Sequence, residues 1–139
     1  MTLGIYLWKD LYVIHASVRD DIGLSCIAEP VRIVKKAELP SQLGLEFRSV
    51  LQSVPSFPSN DESNPVLKAF GERSWGRIDR ESLYCSVEAN NTTLQIIPSV
   101  RNKPEGGHDF LPAHSILVDL KATNEALGLS VLEAFRKCS

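Results

Sequence analysis

Cysteine is scarce and odd in number. The 139 residues hold three, Cys26, Cys85 and Cys138, far apart in the chain. That excludes a disulfide framework of the kind that staples small secreted domains. Cys26 and Cys85 fall in apolar strand patterns and are expected to be small buried hydrophobes. Neither sign of charge dominates: Lys plus Arg is 15, Asp plus Glu is 17, and the net charge is −2. A histone-like basic protein and an acidic mimic of nucleic acid are both excluded. No apolar run approaches the ~20 residues needed to cross a bilayer. The start, Met1 to Lys9, lacks a basic stretch, and its apolar run is cut by Lys9 and Asp10. The expectation is a soluble, cytoplasmic chain with no secretory signal and no membrane partner.

Catalytic signatures are missing as well. There is no Cys-x-x-Cys, no His-Glu-x-x-His and no Gly-x-Ser-x-Gly. His108, Asp109 and His114 are close in sequence, but Pro112 and strand residues intervene, so they do not read as a metal-ligand set. Gly106-Gly107 precedes a strand and not a helix, which argues against a phosphate loop. Asp20-Asp21 and Asp61-Glu62 sit in turn and loop contexts, where paired acids are ordinarily solvated. A Cys–His pair would come together only in the fold. The expectation is a protein that is not an enzyme and needs no cofactor or metal.

What the chain does have is two kinds of period. In Leu11 to Val18, Tyr12, Ile14, Ala16 and Val18 alternate with Leu11, Val13, His15 and Ser17, as in a strand with both faces covered. Leu24 to Lys36 continues as strand, with Pro30 marking an edge, a bulge or a break. Leu39, Leu43, Phe47, Val50, Leu51 and Val54 then fall on one helical face, with Pro40 at the first helical position. Residues 55–65 carry Pro55, Pro58 and Pro65 among small polar residues and read as a flexible linker. A short helix over 66–72 is stopped by Gly71. Strands follow at Leu83 to Glu88 and Thr93 to Ser99, joined at Asn90-Asn91-Thr92. A polar loop from Arg101 to Asp109, a strand from Ser115 to Leu120 and a helix capped by Thr123 complete the chain.

The two helices match at an offset of 84: Leu43-Gly44-Leu45 answers Leu127-Gly128-Leu129, and Phe47 answers Val131. Each follows a block of strands. The pattern predicts one α+β domain over residues 1–139, antiparallel sheet packed on two main helices in a duplicated sheet-then-helix plan.

One segment is distinctive: Leu67 to Gly71, then Ser74-Trp75 and Ile78. Ile96-Ile97-Pro98, Gly106-Gly107, Phe110 and the helix with Leu127-Gly128 and Leu132-Glu133-Ala134-Phe135 follow in order. Across roughly residues 4–137 this resembles the immunity proteins of bacterial contact-dependent growth inhibition systems, the CdiI type. Ile78 stands where that group commonly has an aromatic. The resemblance implies a non-catalytic protein that binds one-to-one, in the cytoplasm, to a cognate toxin domain from the C-terminal region of a large secreted exoprotein. The toxin is expected to be a nuclease, blocked at its active site or its substrate-binding surface. Some relatives are similar to the Whirly fold of single-strand nucleic-acid binders, itself built from two sheet-and-helix repeats.

A basic toxin would be met by acids, here Asp20, Asp21, Asp61, Glu62, Glu72, Asp79, Glu105 and Asp109, with Tyr84, Trp8 and Phe57 as aromatic anchors. Any one of these acids is more often merely solvated. The alternative is a single-stranded nucleic-acid module centred on Arg73, Trp75, Arg77 and Arg80. Asp79 and Glu81 dilute that patch, and the simpler role of Trp75 is to anchor the linker on the core.

Overall fold

A computed structural model of the chain describes residues 1–57, 64–102 and 104–139. The elements are β1 (Thr2–Trp8), β2 (Leu11–Arg19), β3 (Ser25–Lys35), α1 (Pro40–Leu51), α2 (Pro65–Phe70), α3 (Gly76–Glu81), β4 (Leu83–Ala89), β5 (Thr93–Arg101), β6 (His108–Phe110), β7 (Ile116–Asp119) and α4 (Asn124–Arg136). A single 3-10 turn, Pro112–His114, precedes β7. Among the described residues the strands form one seven-stranded antiparallel sheet, ordered β3-β2-β1-β4-β5-β6, with β7 also paired to β5. The α+β expectation holds.

Strand alternation divides the sheet's two faces. Leu3, Ile5, Tyr12, Ile14, Ala16, Cys85, Val87, Leu94 and Ile96 point to α1 and α4, which bring Leu43, Phe47, Val50, Leu127, Val131 and Phe135. Val13, with Tyr6, Trp8 and Leu11 partly buried, points the other way, under Val66, Leu67 and Phe70 of α2 and Ile78 of α3. The second face is covered over only part of its area, because α2 and α3 have six residues each.

Pro30 resolves as a bulge on an edge strand. His15 pairs with Val31 and Ala16 with Ala28, so Glu29 and Pro30 are extra. Two inserted residues keep the alternation in phase, which is why Ala28 and Val34 both reach the core. Glu29 bonds instead to Ser56 across the start of the linker.

The two halves meet at a near two-fold axis. β1 pairs with β4 at the sheet centre, and α1 packs on α4 behind it. A Cβ on Gly44 would collide with the Asn124 carbonyl, and a Cβ on Gly128 with the Pro40 carbonyl. These two contacts exchange under the 84-residue offset, which is therefore a structural relation and not a chance match of amphipathic patterns. Arg48 breaks the symmetry. It donates to Asn124 Oδ1 at 2.8 Å, to the Leu120 carbonyl at 2.9 Å and to the Ala122 carbonyl, tying α1 to the turn before α4.

Thr123 caps α4, its Oγ1 accepting from the Ala126 N–H at 3.1 Å. Thr123→Ala is expected to lower stability by about 1 kcal/mol in urea unfolding, since it orphans one first-turn donor. Leu39 caps α1 without a side-chain bond.

Several expectations need correction. Leu39 and Val54 are 70% and 89% exposed, because α1 begins after the first and stops at Leu51 before the second. The short helix predicted over 66–72 is α2, and Gly71 closes it in the left-handed conformation. α3 was not anticipated. The expected loop 101–109 is partly strand, since β5 runs to Arg101 and β6 begins at His108. Cys85 is buried on β4 as expected, whereas Cys26 is only half-buried on β3. Asp61 and Glu62, within the predicted linker, lie outside the described residues.

Candidate binding cleft on the open sheet face

Beyond the edge of α2 and α3, the second sheet face opens into a cleft of about 520 Å³. Alternation supplies the floor: Thr2 of β1, His15, Ser17 and Arg19 of β2, and Tyr84, Ser86 and Glu88 of β4. Tyr6 and Asp79 form one wall, His108 and Phe110 the other, and Cys26 and Ile27 close an end. The volume is in the usual range for binding clefts.

The floor is built around a missing side chain. Gly4 faces His15 across the β1–β2 ladder and Ser86 across the β1–β4 ladder. A Cβ there would overlap the Tyr84 hydroxyl and the His15 ring. Glycine thus lets the two rings stack at 6.1 Å with an interplanar angle of 12°. His15 Nδ1 lies 2.8 Å from the Ala16 carbonyl, which can only accept, so the proton is on Nδ1. Nε2 is then an acceptor for the Tyr84 O–H at 3.3 Å. Burial holds the His15 pKa down at about 4, against the hydrogen bond to Ala16, so the imidazole is neutral at pH 7.

Tyr6 lies 4.3 Å from Tyr84 between ring centroids, 5.8 Å from His15, 5.8 Å from Trp75 and 6.3 Å from His108. Phe110 is 5.9 Å from Tyr84. Burial raises the pKa of both phenols; the Asp79 charge adds to the effect at Tyr6, and Tyr6 adds to it at Tyr84. Both remain O–H groups. His108 donates from Nε2 to the Ser82 carbonyl at 3.1 Å, which fixes the β6 wall.

The acids predicted to meet a partner are dispersed. Asp79 and Tyr84 line the cleft. Asp20 does local work: its Oδ1 accepts from the Ile22 and Leu24 N–H groups and holds the β2–β3 turn. Asp21 is exposed beside it. Glu72 is paired with Lys9 at 3.0 Å and Arg77 at 3.3 Å. Asp109 is exposed on β6 between the two wall residues, and Glu105 is exposed in the preceding loop.

The arginine-rich segment is also accounted for. Trp75 is half-buried against Tyr6, as its anchoring role requires. Arg77 pairs with Glu72 and Glu81 and lies 5.1 Å over the Trp8 ring. Arg73 and Arg80 are exposed. Phe57 is exposed, and Trp8 packs on Phe70.

Sequence reasoning missed Tyr6, Arg19, Glu88 and His108 as parts of one site. His15 carried a signal, as a histidine that follows Leu11 and Val13 on one face of the strand. Among the described residues no group of three His, Cys, Asp or Glu side chains is placed to hold a metal ion. Among them, too, no thiol lies within hydrogen-bonding distance of an imidazole; the Cys26 Sγ is 3.9 Å from Asp20 Oδ2. The cleft offers hydroxyl and imidazole hydrogen bonds, aromatic faces and two carboxylates to a bound surface.

No protein-family model matches the chain, and no curated protein matches its sequence. Solved structures do match. A protein of unknown function from Neisseria meningitidis is similar over 99% of this chain and 94% of its own, with a TM-score of 0.77 and 14% identity. A chain from the CdiA-CT/CdiI toxin and immunity complex of Yersinia pseudotuberculosis is similar over 99% of this chain and 97% of its own, with a TM-score of 0.73 and 11% identity. At such identities the likeness is one of fold.

Proposed function

We propose that this protein is an immunity protein, which binds and neutralises a cognate contact-dependent growth inhibition toxin domain in the cytoplasm. The observation that carries the reading is the end-to-end fold likeness to a chain from a toxin and immunity complex, in a sequence whose motif order resembles the same group. The toxin is a nuclease, and the complex is one-to-one. Inhibition is by occlusion of the toxin's active site or substrate-binding surface and needs no catalytic step from this chain.

The open sheet face is the docking surface in this reading. Asp79 and Glu88 complement a basic nuclease surface, and Tyr6, Tyr84 and Phe110 provide apolar area at low entropic cost. Arg19, which also lines the cleft, donates to the Gly23 carbonyl at 3.2 Å.

The test is co-purification with the toxin domain encoded immediately upstream, together with survival of cells that express it. Failure of both binding and protection removes the reading. Given binding, the Asp79→Lys, Glu88→Lys double variant is expected to weaken it at least ~10-fold in calorimetry, because charge reversal at a contact repels. Glu133→Lys on α4, an exposed residue behind the sheet, is expected to leave it within about two-fold. The opposite ranking would move the docking surface to the helical face.

A further inference from the structure

We propose that Cys85 and Cys138 are a modification site, a thiol pair that closes to a disulfide by exchange with a low-molecular-weight disulfide such as oxidised glutathione. Their Sγ atoms are 3.5 Å apart. A disulfide bond is ~2.05 Å long, so the sulfurs need approach by only roughly 1.5 Å.

Both ends are held in place. Cys85 is fully buried at the centre of the sheet, in a ladder position opposite Ile5 on one side and Pro98 on the other. Cys138 follows the last turn of α4, and backbone bonds fix it on both flanks. Its own N–H donates to the Phe135 carbonyl at 3.2 Å, and the Ser139 N–H to the Ser99 carbonyl at 3.2 Å. The Arg101 N–H donates to the Ser139 carbonyl at 2.8 Å. The Cys138 sulfur also lies 3.5 Å from the Tyr84 carbonyl and 3.6 Å from that of Ala134. Cys26, by contrast, lies near the start of the edge strand β3, opposite Val18 of β2.

Access and acidity assign the order of attack. Cys138 is half-buried and Cys85 is not exposed. The hydrogen bond with the Cys85 thiol pulls the Cys138 pKa down, while that bond and burial push Cys85 up. Cys138 is therefore the nucleophile. Its thiolate attacks one sulfur of oxidised glutathione, the glutathione S–S bond breaks, and one glutathione leaves as thiolate. Cys85 then loses its proton to solvent and attacks the Cys138 sulfur of the mixed disulfide, releasing the second glutathione. In sum two protein thiols are oxidised to one disulfide and one glutathione disulfide is reduced to two thiols. The product ties the end of α4 to β4, across 53 positions of chain.

The experiment uses the full chain, oxidised glutathione and quenching with a maleimide after denaturation. The expected product has lost two hydrogens, carries one maleimide on Cys26 and yields a Cys85–Cys138 cross-linked peptide. Its thermal midpoint rises by roughly 5–10 °C, reversed by dithiothreitol. Cys26→Ser should still form the bond, and Cys138→Ser should not. Three alkylatable thiols under excess oxidant would overturn the assignment. So would a lasting glutathione adduct on Cys138 with Cys85 still reduced, or loss of two hydrogens in Cys138→Ser. None of these readouts depends on toxin binding.

Discussion

Gly44→Ala is expected to destabilise the protein by about 3 kcal/mol, although alanine is the better helix former by about 1 kcal/mol. The steric term decides the sign. The added methyl would meet the Asn124 carbonyl, a backbone group that cannot swing aside. α1 must then lift off α4, which loosens Leu43, Phe47, Val50, Leu127 and Val131 together. Gly128→Ala acts through the mirror contact on the Pro40 carbonyl and should cost a similar amount. The double variant should cost less than the two added, because the first substitution already opens the shared interface. Urea unfolding of the four proteins measures all of this. A neutral or stabilising Gly44→Ala would show that the helices are not in contact at these glycines.

The second large effect is a response to acid. His15 is buried and neutral, with its pKa held at about 4, whereas an unfolded histidine titrates near ~6.5. Between those values the unfolded chain takes up a proton that the folded chain refuses. Stability is therefore fully present above about pH 6.5 and falls as the pH drops toward 4. The shift corresponds to about 3 kcal/mol at a site that is 1% exposed. The control is His15→Gln, which keeps a polar side chain on the sheet but does not titrate. Asp79, Glu88 and His108 line the same cleft and are present in both proteins, so the difference between the two pH profiles isolates His15. Stability measured by chemical denaturation from about pH 7 to about pH 4 should fall by about 3 kcal/mol more in the wild type. Parallel profiles would mean that His15 is accessible to protons in the native state.

Strands and long helices were legible because their periods are long enough to register. Nine residues of β2 display both faces, and the 12 and 13 residues of α1 and α4 each show a full apolar stripe. α3 was not legible. Six residues make fewer than two turns, and only Ile78 among them is buried, so packing and not propensity makes it a helix. β6 has three residues and exists because β5 extends past Ser99 to pair with it.

The two Leu-Gly-Leu stretches could be seen to match, but not why each holds a glycine, since the answer is a carbonyl on the other helix. The cleft was the least legible feature. Tyr6, His15, Tyr84 and His108 come from four separate strands, and their convergence depends on β1 lying beside β4. The acids on turns and loops looked equivalent in the sequence. The structure separates Asp79, which borders the cleft, from Asp20, which is spent on its own turn.

The pairing of β1 with β4 also sets a timetable. Tyr6 is opposite Tyr84 in the ladder, so the central seam joins segments nearly eighty positions apart. During synthesis β1, β2 and β3 can zip locally, but the outer edge of β1 has no partner until β4 emerges, and Leu3 and Ile5 lack the cover of α4 until the last residues are made. The nascent first half thus carries an open apolar strand edge, the kind of surface that invites wrong pairings and chaperone capture. Closure is a late, non-local step whose loop entropy is met only at the end, and such steps are slow.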